Sequence, residues 1–123
     1  MWESSMNLMS LFQGSTNKES FPANKALFVL GEEGKCMYVV VKGEVEIKVG
    51  NTIVATAGPG DIVGEMALVE SAPRSATAVA RTDCEAVPVD ERQFLFLVQE
   101  HPLFAQHVMR VMAHRLRRMN ERL

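Results

Sequence analysis

Gly60-Asp-Ile-Val-Gly64-Glu65-Met66-Ala67-Leu68, then Val69-Glu-Ser-Ala72, then Pro73-Arg74-Ser75-Ala76-Thr77, is the stretch on which the fold turns. On either side of it the chain runs in short β-rich segments, and inside it that rhythm stops. A glycine followed by a short helical turn presents unpaired backbone N–H groups to an anion, and a side chain as small as Ala67 lets the anion come close. Arg74 adds a positive fork that matches phosphate oxygens, and Glu65 adds an acceptor pair suited to a sugar hydroxyl. Pro73 fixes its own φ and pushes Ala72 toward extended backbone, which holds Arg74 at the start of the next strand.

Working outward, strands are predicted over 26–30, 37–42, 44–49, 52–57, 77–81 and 85–89. Gly31-Glu-Glu-Gly34, Lys42-Gly43, Gly50-Asn51 and Gly58-Pro-Gly60 punctuate them. Val45, Ile47 and Val49 alternate with Glu44, Glu46 and Lys48, the period-2 pattern of a strand with one wet face. Ser4 or Ser5 can cap a short N-terminal helix carrying Leu8, Met9, Leu11 and Phe12, which Gly14 stops. Asp90 with Gln93 three residues later forms a capping box ahead of Phe94, Leu95, Leu97 and Val98. His101-Pro102 breaks that helix. Pro102 opens a second, with Phe104, Val108, Met112, Leu116, Met119 and Leu123 in a stripe. The prediction is a mainly β chain with flanking helices. It forms one domain over 1–123: a helix and loop over 1–20, a β-roll over 21–89 with the cassette at 64–77, and two helices over 90–123.

Gly-Glu-Met-Ala-Leu, four residues, then Pro-Arg-Ser-Ala-Thr resembles the phosphate-binding cassette of the cyclic-nucleotide-binding domain family, which includes protein kinase A regulatory subunits, the catabolite activator protein and cyclic-nucleotide-gated channels. The similarity extends through Gly43-Glu-Val-Glu-Ile47, Gly58-Pro-Gly-Asp61 and the closing helices. The resemblance implies that Glu65 binds the ribose 2′-hydroxyl and Arg74 the cyclic phosphate. Gly64, Met66, Ala67 and Ser75 complete that cradle, with backbone N–H groups at Ala67 and Ser75. It also implies that the purine lies against Ile47, Ala55 and Val63, where Val63 replaces the usual aromatic. Arg115 stands where a lid arginine stands in the bacterial channels of this family. The implied ligand is cAMP ahead of cGMP, with no cofactor and no metal.

Composition narrows the classes. The chain has 123 residues, 47% hydrophobic and 23% charged, ordinary for one soluble domain. Its longest apolar run, 36–41, is far short of the about 20 residues a membrane-spanning helix needs, so no membrane insertion and a cytoplasmic location are expected. Cys36 and Cys84 show no metal or disulfide spacing and read as reduced, small apolar fillers. Residues 1–101 hold 8 Lys and Arg against 14 Asp and Glu, whereas residues 102–123 hold 5 Arg against Glu121. Arg115, Arg118 and Arg122 share one helical face. The default for such a face is solvation favoured by the helix dipole. Nucleic acid is not expected, because no aromatic interleaving accompanies the charge.

Plainer readings accompany each site residue. Glu65 and Arg74 can form an ion pair that closes a loop, Ser75 can cap a turn, His101, His107 and His114 read as surface or helix residues, and the methionines of the last helix read as core. No nucleophile–base pair or metal cluster is present, so no enzyme is expected. The two readings that remain are a cyclic-nucleotide sensor in which the ligand orders the cassette and moves the last two helices, and a ligand-free β-roll that dimerises or docks on an effector protein through its last helix.

Overall fold

The computed structural model describes residues 10–121. Eight strands and three helices follow in the order β1 (Glu19–Phe21), β2 (Ala26–Phe28), β3 (Cys36–Lys42), β4 (Val45–Val49), β5 (Thr52–Ala57), β6 (Ile62–Val63), α1 (Glu65–Glu70), β7 (Thr77–Ala80), β8 (Cys84–Asp90), α2 (Glu91–Glu100) and α3 (Pro102–Glu121). A helical turn at 10–13 ends at Gly14. The predicted N-terminal cap at Ser4 or Ser5, with Leu8 and Met9, lies outside the described residues, as does Leu123.

The strands form two four-stranded sheets, ordered β1-β8-β3-β6 and β2-β7-β4-β5. Every pairing is antiparallel. The uninterrupted apolar run of β3 is explained by its having two buried faces. Met37, Val39 and Val41 point to one hydrophobic cluster with Phe104 and Val108 of α3, whereas Val40 faces a second cluster between the sheets. β8 repeats the division, with Val87 and Val89 toward the helices and Cys84 and Ala86 toward the opposite sheet. Its partner residues Met37↔Val89 and Val39↔Val87 hold the two strands in that register. At about 25 cal/mol per Å² of apolar area, such layers supply most of what holds a domain this size together.

The capping box forms as predicted, with Asp90 Oδ1 accepting from Gln93 N–H at 2.8 Å and Gln93 Oε1 accepting from Asp90 N–H at 2.9 Å. Phe94, Leu97 and Val98 pack on the helix-side cluster, but Leu95 is exposed. Val49 also departs from its predicted inward position. A register shift between Ile47 and Lys48 breaks the alternation, and the β4–β5 hairpin end carries Val49 and Ile53 into solvent. The stripe on α3 is inward only in its first half. Phe104 and Val108 are buried and Met112 is half-buried, but Leu116 and Met119 are exposed, so the methionine-rich end is not core. Two strands escaped the sequence reading, β1 and β6, because three and two residues are too short for an alternation to register. Among the described residues no helix is long and apolar enough to cross a membrane, and no cluster of metal-ligating side chains occurs.

Candidate functional site

Arg74 is the centre of the site, and it is almost fully buried at 7% exposure. It enters from the loop between α1 and β7. Its backbone is fixed by exchange with the β2–β3 loop: Arg74 N–H donates to Glu32 O and Gly31 N–H donates to Arg74 O, both at 2.8 Å. The guanidinium donates from Nη2 to Cys36 O at 2.7 Å and from Nη1 to Gly64 O at 3.1 Å, and its carbon lies 4.1 Å from the centre of the Phe28 ring. Nε is left over. It is buried without a hydrogen-bond partner, the one such side-chain atom among the described residues. A buried charged donor without a partner costs about 1–3 kcal/mol or more, so its retention calls for an acceptor that arrives from outside the chain.

Gly64 and Gly34 shape the space around that nitrogen. Gly64 begins α1 in the left-handed region at φ 79°, with no side-chain cap. A Cβ there would stand 2.5 Å from Arg74 Nη1 and 3.0 Å from a Phe28 ring carbon. At Gly34 a Cβ would stand 2.3 Å from Ala67 Cβ and 3.3 Å from Arg74 Nε. Only glycine fits at both places. Ala67 is buried against Gly34, and its N–H donates weakly to Gly64 O at 3.3 Å.

Glu65, 6% exposed, does not pair with Arg74. The ion pair that a loop-closing role implies is absent, because the Arg74 fork is held by two carbonyls. Glu65 Oε1 instead accepts from Arg115 Nη1 of α3 at 2.8 Å, and Arg115 Nη2 donates to the Ile62 carbonyl. Arg115 was expected over a purine. Its guanidinium is drawn to the carboxylate because Phe104 and Val108 seat α3 on the roll and place Arg115, two turns beyond His107, on the same face. His107 is a residue of the same helix, and its Nε2 meets Gly60 O at 2.7 Å.

Beside this corner runs a groove of about 880 Å³ between α3 and the β5–β6 segment. Arg110, His114, Arg115 and Arg118 line one wall, Ala55 and Asp61 the other. Of the arginine face, Arg115 is turned onto the roll, whereas Arg118 lines the groove and stays exposed to solvent. Ala55 contributes to that wall, and Ile47, paired with it across β4–β5, is half-buried against the inter-sheet core. Val63 has no exposed surface and is a core residue, so no base can lie against it in this arrangement. Met66 and Ser75 are exposed at the rim. Arg122 is outside the described residues.

The structure thus brings Gly64, Glu65, Ala67 and Arg74 together, adds Arg115, and leaves Met66 and Ser75 at the edge. Sequence reasoning missed Phe28, Gly34, Cys36 and Ile62. Gly34 read as a turn, and nothing local marks its approach to Ala67, 33 positions later. The two thiols are free, with Cys84 buried and Cys36 half-buried. Burial raises the Cys84 thiol pKa, and burial followed by the nearby Cys36 raises the Tyr38 hydroxyl pKa.

Comparison with known proteins places this geometry. Residues 18–101 match the family described as Cyclic nucleotide-binding domain. A protein of Thermus thermophilus named Cyclic AMP receptor protein is 33% identical over 114 residues, covering 89% of this chain and 51% of the relative. The crystal structure of Thermus thermophilus catabolite activator protein superposes with a TM-score of 0.75 at 31% identity, covering 98% of this chain and 57% of that one. A structure titled Sp-2Cl-cAMPS bound to PKAR CBD2 superposes at 0.69 with 25% identity, covering 85% of this chain and 69% of that one. The chain spans about half the length of the curated relatives it matches first. The matched span takes in the glycine-led helix, the buried arginine and both sheets that carry them, and on that ground the chain belongs to the cyclic nucleotide-binding domain family.

Proposed function

We propose that this chain binds a cyclic purine nucleotide, cAMP ahead of cGMP, and acts as a regulatory domain that performs no catalysis. The observation that carries the reading is the buried, unpartnered Nε of Arg74. A cyclic phosphodiester bears a single negative charge, so one guanidinium balances it, and a phosphate oxygen supplies the acceptor that Nε lacks. The Phe28 ring and the two carbonyls hold the guanidinium in place beforehand, so little is lost in ordering it. Glu65 accepts the ribose 2′-hydroxyl. The groove with Ala55 takes the base, and its arginines attract the anion. Ser75, at the rim, contributes its hydroxyl to a phosphate oxygen or to the 2-amino group of a guanine.

In this reading α2 and α3 carry the signal outward and the work is done in the cytoplasm. The names of the relatives support it, since one is a cyclic AMP receptor protein and another structure is of a cAMP analogue bound to PKAR CBD2. A second reading, docking of a second copy or an effector through α3, draws on the exposed Met109, Leu116 and Met119. Thermal melting separates the two. At a hundredfold excess over Kd, cAMP adds about 2.7 kcal/mol of stability, and non-cyclic 5′-AMP adds none. An unchanged melting temperature with cAMP would refute binding and leave the docking reading standing.

A further inference from the structure

Tyr38 is the only tyrosine of the chain, and it stands in β3 among a methionine and three valines. It is half-buried, packed on the inter-sheet cluster, and it adjoins each of the three groups that hold the Arg74 guanidinium. The first is the Phe28 ring, 4.1 Å from the guanidinium carbon, with which the Tyr38 ring is stacked at 6.3 Å between centroids and 19° between planes. The second is Cys36, whose carbonyl takes Nη2 and which lies two residues before Tyr38, on the same face of β3. The third is Gly64, whose carbonyl takes Nη1 and which follows Val63, the partner of Tyr38 across β3–β6. Phe21 meets the Tyr38 ring edge-on at 5.8 Å and 90°. Phe28 itself has a weak backbone hold. It ends β2, a three-residue strand at the edge of its sheet, after a register shift, and Val29 and Leu30 beyond it are exposed.

We propose that Tyr38 is a positioning residue for the phosphate-binding arginine: its ring fixes the plane of Phe28, and Phe28 fixes the plane of the guanidinium and the direction of its unpartnered Nε. The inference rests on the reading of Arg74 given above. A guanidinium is planar, so the Nε–H lies in the same plane as the two Nη donors and turns whenever that plane turns. A hydrogen bond weakens steeply as its angle closes toward about 120°, so a tilted ring under Arg74 costs the bond to the phosphate oxygen without removing the charge. A benzyl side chain is fixed by its neighbours, because rotation about its last bond is broad and the short edge strand beneath it restrains little. Leucine or methionine at position 38 fills the space but offers no face for Phe28 to stack on. Phenylalanine keeps that face.

The test joins calorimetric titration with cAMP to NMR of the Arg74 Nε–H in the nucleotide-free chain. The variants are Tyr38→Phe, Tyr38→Leu and Tyr38→Met, with Val40→Ala as a packing control. Val40 is wholly buried in the same inter-sheet cluster, and the bonds of the guanidinium go elsewhere. The unaltered chain should show a sharp, slowly exchanging Nε–H, and Tyr38→Phe should match it in both signal and affinity. Tyr38→Leu and Tyr38→Met should broaden that signal and bind cAMP about three- to tenfold more weakly, the worth of one aromatic pair. Whichever of these two melts cooperatively is the one read, so a poorly folding variant does not decide the matter. Val40→Ala should lose stability yet keep the signal and the affinity. Unchanged affinity in Tyr38→Leu and Tyr38→Met, a loss in Tyr38→Phe or Val40→Ala as large as theirs, or a broad Nε–H in the unaltered chain would overturn the positioning role and leave the site assignment intact. A sharp Nε–H that broadens in the leucine and methionine variants, with no binding of cAMP by the unaltered chain, would uphold the positioning of Arg74 and overturn its reading as the phosphate ligand.

Discussion

Replacing Gly64 by alanine should destabilise the chain, and the cost can be worked from two terms. A residue with a Cβ at φ 79° takes on left-handed strain of about 1–2 kcal/mol. The new Cβ would also meet Arg74 Nη1 at 2.5 Å and Phe28 at 3.0 Å, and forcing atoms into such a packed place costs about 1–3 kcal/mol more. The sum is roughly 2–5 kcal/mol, large against the about 5–15 kcal/mol of a typical domain. The natural control is Gly50→Ala, also left-handed at φ 62° but with nothing within 4 Å of its Cβ, which should lose only the strain. Urea denaturation of both variants measures the difference, and with a slope of about 1–3 kcal/mol per molar the Gly64→Ala midpoint should fall by about 0.7–5 M at unchanged slope. The guanidinium must also leave the Gly64 carbonyl, so cAMP binding should weaken at least about tenfold, the loss expected for a displaced charged hydrogen bond. Equal midpoints for the two variants would refute the close approach of Arg74 to Gly64.

Two further outcomes follow from the same contacts. Arg74→Ala strands the Gly64 and Cys36 carbonyls and uncovers Phe28, so it should lower stability by about 2–4 kcal/mol in urea melts as well as abolish measurable cAMP binding; loss of binding at full stability would contradict the structural half of its role. Cys84 is 3% exposed, donates to the Glu44 and Thr82 carbonyls and has a raised pKa through burial. With the folded-state pKa above the unfolded one, its contribution to stability is full below about pH 8.5 and is lost as pH rises through the folded value. Iodoacetamide at pH 8 should therefore label half-buried Cys36 first, and equal labelling of the two would contradict the burial of Cys84.

Much of the roll was legible because its signals are local. The glycine punctuation, the two-faced apolar run of β3 and the Asp90–Gln93 box each occupy a few consecutive residues, and each appears where the sequence puts it. The cassette was legible for the same reason, as Gly64, Glu65, Ala67 and Arg74 fall within eleven positions. What escaped is what depends on distant packing. The Gly34–Ala67 contact, the Cys36 and Ile62 carbonyls on the two arginines, and the Phe28 ring under Arg74 join segments with no shared pattern. Val63 and Val49 were misread in opposite directions. An apolar residue before the cassette glycine serves the inter-sheet core, and a strand residue at a hairpin end loses its cover after a register shift. The partner of Arg115 was out of reach for a further reason. Helical spacing gives the face on which an arginine lies, but which acceptor it meets is set by how Phe104 and Val108 seat the helix.

Calorimetric titration of the unaltered chain with cAMP, with cGMP and 5′-AMP as comparisons, decides whether the Arg74 cradle takes a cyclic phosphate. The expected result is saturable binding of one cAMP per chain, weaker binding of cGMP, and none of 5′-AMP, whose doubly charged open phosphate mismatches a cradle with one guanidinium. No heat of binding with cAMP, or equal binding of cAMP and 5′-AMP, would contradict it.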